Sequence, residues 1–358
     1  MPDKKIVNIP IDERDLATLE DYLRDADVFT TSFNELGDTV YKAGTYLAEN
    51  LLHETKIIFL LDRNVFTRLI AIARARRSEL DDAHRVAAAV LSFAQTVDGL
   101  VEPCMALHEY AFECGDEPAT EELLLFRILD NTHPQLLANI ALGREILDIR
   151  GLVGPPSEGH VKGLSRTLWR WNAHYLTTLK IAEIELKGAS PQKKLLEFID
   201  WMGKDFLFSA PSLLLAMHYL APKGPKKRLM KALRSRDRNR ALAGVRNAAW
   251  DLTLVSEWVH RLRTQAEEHC LWVLVSQDRG LHRLARSLLV SQSISSDEHL
   301  RYMFCELWGM PLGCHLCEKY REWIESRKNM NTLPELSSEL AKQMQNDLEI
   351  AVREGLAR

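Results

Sequence analysis

"KIIFLLDRNVFTRL", residues 56–69, is a short apolar run that halts at Asp62 and then resumes with helical spacing. The run is dense in β-branched and aromatic residues and short for a helix, so it predicts a buried strand. "CLWVLVS", residues 270–276, repeats the grammar, with Gln277, Asp278 and a helical pattern after it. Strands separated by helices imply parallel pairing. The carboxyl ends of parallel strands open onto the crevice where ligands bind. Asp62 and Asp278 therefore have two readings: each caps the helix that follows, since Asp is a favoured N-cap residue, or the two carboxylates serve one site. A weaker third strand is expected in "RSLLVSQSI", residues 286–294, as an edge strand.

Outward from these runs, most of the chain reads as helix. The expected architecture is an α/β core with a small parallel sheet, enlarged by helices. Residues 1–55 form an N-terminal helical extension. The core takes 56–120 and 241–300, a helical insertion takes 121–240, and C-terminal helices take 301–358. "RGLVGPPSEGH" (150–160) and "APKGPKKR" (221–228) are the clearest loops, marked by Pro and Gly.

Composition sets limits. The 358 residues are 46% hydrophobic and 27% charged, ordinary for a globular protein. The net charge of −4 makes no global statement about nucleic acid or membrane partners. No apolar run approaches the roughly 20 residues of a membrane span, and the N-terminus lacks an apolar leader core. The expectation is a reduced, cytoplasmic protein with no membrane partner. Six cysteines in a chain this long do not suggest a disulfide scaffold. Cys305, Cys314 and Cys317 include one CxxC spacing, and His299 or His315 would have to complete a zinc site; ordinary packing thiols are the better reading. "GPPSEGH" echoes a phosphate-binding loop, but His160-Val161 stand where Lys-Ser/Thr is required.

Two helical stretches supply further acids. "ALHEYAFE" places Glu109 and Glu113 one turn apart on a shared face. Asp251 sits among Ala249, Trp250, Leu252 and Leu254, with Asn247 one turn earlier. An acid in such surroundings needs a polar pocket or a partner; a solvated face for Glu109 and a buried salt bridge for Asp251 are the competing accounts. Hard divalent cations such as Mg²⁺ and Mn²⁺ prefer carboxylate oxygen and water, so converging acids suit them. A basic run, 222–240, holds nine Lys or Arg against Asp237 alone. Read as one helix, it places Lys227, Lys231, Arg234 and Arg238 on a single face, where they would neutralise phosphates.

The order "LLDRNVF … ALHEYA … NAAWDLTLVSEW … VLVSQDRGLHRLA" resembles a PIN-like nuclease domain. That resemblance implies a Rossmann-like, three-layer core with Asp62, Glu109, Asp251 and Asp278 as catalytic acids and ligands of Mg²⁺ or Mn²⁺. Asn64, Glu113 and Asn247 would support or substitute for them, although Asn also serves turns and caps. The implied activity is endoribonuclease, in a toxin or defence role by analogy, with RNA as partner. A homo-oligomer or an inhibitory protein partner is a further expectation. A DNA nuclease of the same core is one alternative. A non-catalytic RNA-binding scaffold is the alternative from another class. The stretch between Glu109 and Asp251 is longer than the family's pattern.

Overall fold

The computed structural model describes residues 9–32, 39–74, 80–145, 162–207, 209–224, 226–265, 268–289, 295–328 and 337–355. The chain divides into two compact units: Met1–Arg166 with Glu257–His282, and Thr167–Ser256 with Arg283–Arg358. It is mostly helical, with one small mixed sheet. No helix among the described residues is long and apolar enough to cross a membrane.

The first unit contains α1 (Glu13–Ala26), β1 (Phe29–Thr30), α2 (Ala43–His53), β2 (Lys56–Leu61), α3 (Arg63–Ala73), α4 (Asp82–Thr96) and β3 (Leu100–Glu102). It continues through α5 (Cys104–Cys114), α6 (Asp116–Asp130) and α7 (Pro134–Ala141). The second unit holds α8 (Trp169–Leu186), α9 (Pro191–Lys204), α10 (Ala210–Leu220) and α11 (Lys226–Leu229). Helix α12 (Arg238–Thr264) belongs to the second unit up to Ser256, and β4 (Cys270–Val275) then returns to the first. After α13 (Arg279–Leu288), the second unit closes with α14 (Ser296–Trp308), α15 (Met310–Lys328) and α16 (Ser338–Glu354).

Both apolar runs are strands. They lie side by side in parallel, from Lys56↔Cys270 to Leu61↔Val275. The sheet order is β1-β4-β2-β3, with β2 parallel to β3 as well. From β2 the chain passes to β3 on one side and then crosses to β4 on the other, so the carboxyl ends of parallel β2 and β4 lie at a topological switch point. Phe59, Leu60 and Leu61 face Val273, Leu274 and Val275 in a fully buried centre. Such near-continuous apolar runs are what burial on both faces selects.

Several expectations need correction. The sheet is mixed: β1 pairs antiparallel with β4 through Phe29↔Val275 and Thr30↔Leu274. The edge strand thus comes from the N-terminal segment. In the 286–294 stretch, residues through Leu288 end α13, and 290–294 lie outside the described residues. Residues 1–55 are not an appendage but part of the first unit. So is 121–166, whereas 241–256 and 283–300 group with the second. The physical reason is burial: Leu19, Leu23, Phe29 and Tyr46 share one core with Phe59 and Phe93. Phe29, Tyr46, Phe59 and Phe93 pack with ring centroids 5.6–6.3 Å apart, in tilted and edge-on arrangements. A side chain at Gly99 would start 2.5 Å from the Phe59 ring, so the turn into β3 needs glycine there.

Candidate acidic site at the strand ends

The β2–β4 register runs one step beyond the strands. The Asp62 amide donates to the Val275 carbonyl at 2.9 Å, which sets Asp62 beside Ser276. Asp62 holds the N-cap position of α3, with φ −74° and ψ 150°, yet its side chain makes no capping hydrogen bond. It turns sideways instead. Its Oδ2 accepts from the Ser276 hydroxyl at 2.5 Å and from the Asn64 amide. Asn64 Nδ2 also donates to Ser276 Oγ at 3.0 Å, and its Oδ1 accepts from the Gln277 amide at 3.1 Å. Ser276 Oγ accepts from the Asp278 amide at 2.9 Å. One hydroxyl thus links both strand-end aspartates.

Asp278 does cap its helix. Its Oδ1 accepts from the amides of Gly280 at 2.7 Å and Leu281 at 3.4 Å. The two acids with the same sequence grammar therefore differ: one carboxylate caps and the other lies in a side-chain network. Asp62 is 5% exposed. Burial raises its pKa to about 6, and the charge on Asp278 adds to that rise. The Ser276 hydroxyl and the nearby amides of Arg63 and Asn64 act in the opposite direction. The two carboxylates are within electrostatic reach of each other, and a shared cation would relieve both burial and repulsion.

Buried His282 fixes the end of β4. Its Nε2 lies 2.8 Å from the Ser276 carbonyl and its Nδ1 lies 2.7 Å from Thr30 Oγ1. A carbonyl only accepts, so Nε2 donates to Ser276; in the neutral ring Nδ1 then accepts from Thr30. Gln277 Nε2 donates to the Ala83 carbonyl at 2.8 Å, tying the same turn to α4. Ser276, Gln277 and His282 were given no role by sequence reasoning. The hydroxyl two residues before a strand-end Asp, in "VSQD", was the available signal.

The other acids stand elsewhere. Glu109 is half-buried on α5, and Glu113 is exposed. Helix α5 is held by Arg63, which lies 4.2 Å from the Tyr110 ring centroid and pairs with buried Glu122 at 2.6 Å. Asp251 belongs to the second unit, where Asn247 Nδ2 donates to its Oδ2 at 3.1 Å. Among the described residues, no group of three or more His, Cys, Asp or Glu is arranged to hold a metal ion. The pair the first unit brings together is Asp62 with Asp278.

The basic run is not one helix, so its single cationic face does not exist. Helix α11 stops at Leu229, Ala232 takes a positive φ of 59°, and α12 starts at Arg238. Burial of Leu229, Met230 and Leu233 folds the segment back, and Asp237 caps α12 through the Asn239 amide at 3.0 Å. Arg234 pairs with buried Glu185 at 2.9 Å. Arg238 donates to the carbonyls of Leu233 and Ser235 at 3.0 and 2.9 Å. Lys231 is exposed, and the side chain of Lys227 lies outside the described residues.

No family model matches the chain, and neither the curated proteins nor the solved structures searched contain a match.

Proposed function

We propose that the first unit is a PIN-like nuclease domain that hydrolyses RNA with the help of Mg²⁺ or Mn²⁺. The observation that carries this reading is the Asp62–Ser276–Asp278 arrangement at the carboxyl ends of adjacent strands. The donor chemistry fits a hard cation: two carboxylates, a hydroxyl and an amide, while both ring nitrogens of nearby His282 are engaged by Ser276 and Thr30. Magnesium is commonly bound through one or two carboxylates, keeping waters and phosphate oxygens for its remaining positions, so an aspartate pair suffices. Asp62 and Asp278 would hold the ion. Such an ion lowers the pKa of a bound water and balances charge developing on phosphodiester oxygens.

The chain's own groups do the positioning. Ser276 and Asn64 set the Asp62 carboxylate, while the Gly280 and Leu281 amides set that of Asp278. In this reading Glu109, also in the first unit, is a further acid contributed to the reaction. The preference for RNA rests on the sequence resemblance, and DNA is its nearest rival. The test incubates labelled single-stranded RNA and DNA with purified protein and Mg²⁺, Mn²⁺ or EDTA. RNA should be cleaved only with metal, and Asp62→Asn and Asp278→Asn should each lower the rate on the order of 100-fold or more. Cleavage that persists in EDTA, or at the parental rate in either variant, would overturn the proposal.

A second reading is a PIN-like domain that binds RNA without cutting it. It is favoured by the pairing of two acids, rather than three or more, among the described residues. Metal-independent RNA binding with no product in any cation would decide for it.

A further inference from the structure

We propose that Cys305 and Cys314 form a dithiol site that hydroperoxides oxidise to an intramolecular disulfide. Helix α14 ends at Gly309, whose φ of +82° turns the chain directly into α15. The two helices meet at Gly313, where a Cβ would lie 2.5 Å from the Phe304 carbonyl and 2.6 Å from the Cys305 Cα. Only glycine permits that approach, and the next residue is Cys314. The Cys305 and Cys314 sulfurs are 3.4 Å apart. Closing to the roughly 2.05 Å of a disulfide asks for side-chain rotation within two packed helices.

The surroundings favour reaction at one sulfur first. Arg301 Nη2 lies 3.8 Å from Cys314 Sγ. A hydrogen bond from Cys305 and the Arg301 guanidinium hold the Cys314 thiol below its ordinary pKa, while burial pushes Cys305 up. Both sulfurs belong to partly exposed residues, whereas Cys317 is buried. Metal does not account for the pair. Among the described residues no third Cys, His or acid joins it as a ligand, and His299 Nε2 is engaged by the Ser287 carbonyl at 3.1 Å.

The chemistry balances with peroxide as oxidant. The Cys314 thiolate attacks the terminal peroxide oxygen; an S–O bond forms, the O–O bond breaks, and the alkoxide (hydroxide when the oxidant is hydrogen peroxide) leaves and takes up the proton the thiol released. Cys305 sulfur then attacks Cys314 sulfur; the S–S bond forms, the S–O bond breaks, and water leaves with the Cys305 proton. Two thiols lose two hydrogens and the hydroperoxide becomes water and the corresponding alcohol, or two waters for hydrogen peroxide.

The test treats the folded full-length chain with hydrogen peroxide, blocks free thiols, and maps peptides without reduction. The expected result is a Cys305–Cys314 crosslink that dithiothreitol reverses. Cys305→Ser should instead accumulate a sulfenic acid at Cys314 that dimedone traps, and Arg301→Gln should slow crosslinking several-fold. Circular dichroism confirms that each variant is folded, and the parental peptide map decides the matter if one is not. A different pairing, no crosslink in the folded chain, or a zinc ion bound stoichiometrically to these thiols would overturn the assignment.

Discussion

Asp62 is a buried carboxylate whose charged form is resisted by its surroundings. Burial and the Asp278 charge raise its pKa from 3.8 to about 6. In the unfolded chain it titrates near its ordinary value, so the folded state binds the proton more readily between the two. Stability from this group is therefore highest below the ordinary value and declines as pH rises through about 6. Asp62→Asn removes the charge while keeping an oxygen for Ser276 to bond. The variant should be more stable than the parent at pH 8, by up to about 3 kcal/mol, and melt at a higher temperature. The gain should shrink toward zero near pH 4, as thermal melts across that range will show. A variant less stable at pH 8, or one with a pH-independent offset, would mean that the hydrogen bonds of Asp62 outweigh its buried charge.

At the level of elements, the strands were legible because their signal is local. "KIIFLL" and "CLWVLVS" are bounded apolar runs; the first forms a strand over its full length and the second over all but its last residue, Ser276. What lay beyond local reading was set by partners distant in sequence. The two-residue β1 has no periodicity to detect, and it becomes a strand because β4 offers Leu274 and Val275 to pair with. The linking role of Ser276 depends on a register that brings it to Asp62, 214 positions away. The basic run misled for the same reason. Its charges suggested a helix face, but Glu185 on α8 gathers Lys226 at 2.8 Å, Arg234 at 2.9 Å and Lys194 at 3.0 Å. Burial opposes the Glu185 charge, yet the hydrogen bonds from these cations outweigh it and hold its pKa below the ordinary value. Lys194 is itself buried. Glu185→Ala should therefore destabilise the second unit by about 3–5 kcal/mol, because a buried ammonium is left uncompensated. Chemical denaturation will measure it; a loss below about 1 kcal/mol would show that water replaces the carboxylate without cost.

For the whole molecule, the division into two units makes a single melting temperature an incomplete description. The strands and the strand-end acids fall in the first unit, whereas the basic segment, Asp251 and the cysteine pair fall in the second. A cation held by Asp62 and Asp278 would stabilise the unit that binds it by mass action, about 2.7 kcal/mol at 100 times the dissociation constant. Calorimetry with Mg²⁺ or Mn²⁺ at pH 7.5 should then raise one transition by several degrees, with EDTA restoring the lower value. Asp278→Asn should abolish the shift, since it leaves one carboxylate. The shift should also fade between pH 7.5 and pH 5, because Asp62 takes up a proton as pH drops through about 6 and competes with the metal for its own oxygens. Cys305→Ser should leave the metal-induced shift unchanged, because that thiol belongs to the other unit. Metal stabilisation that survived Asp278→Asn would place the cation elsewhere in the chain and remove the chief support for metal-assisted hydrolysis at these strand ends.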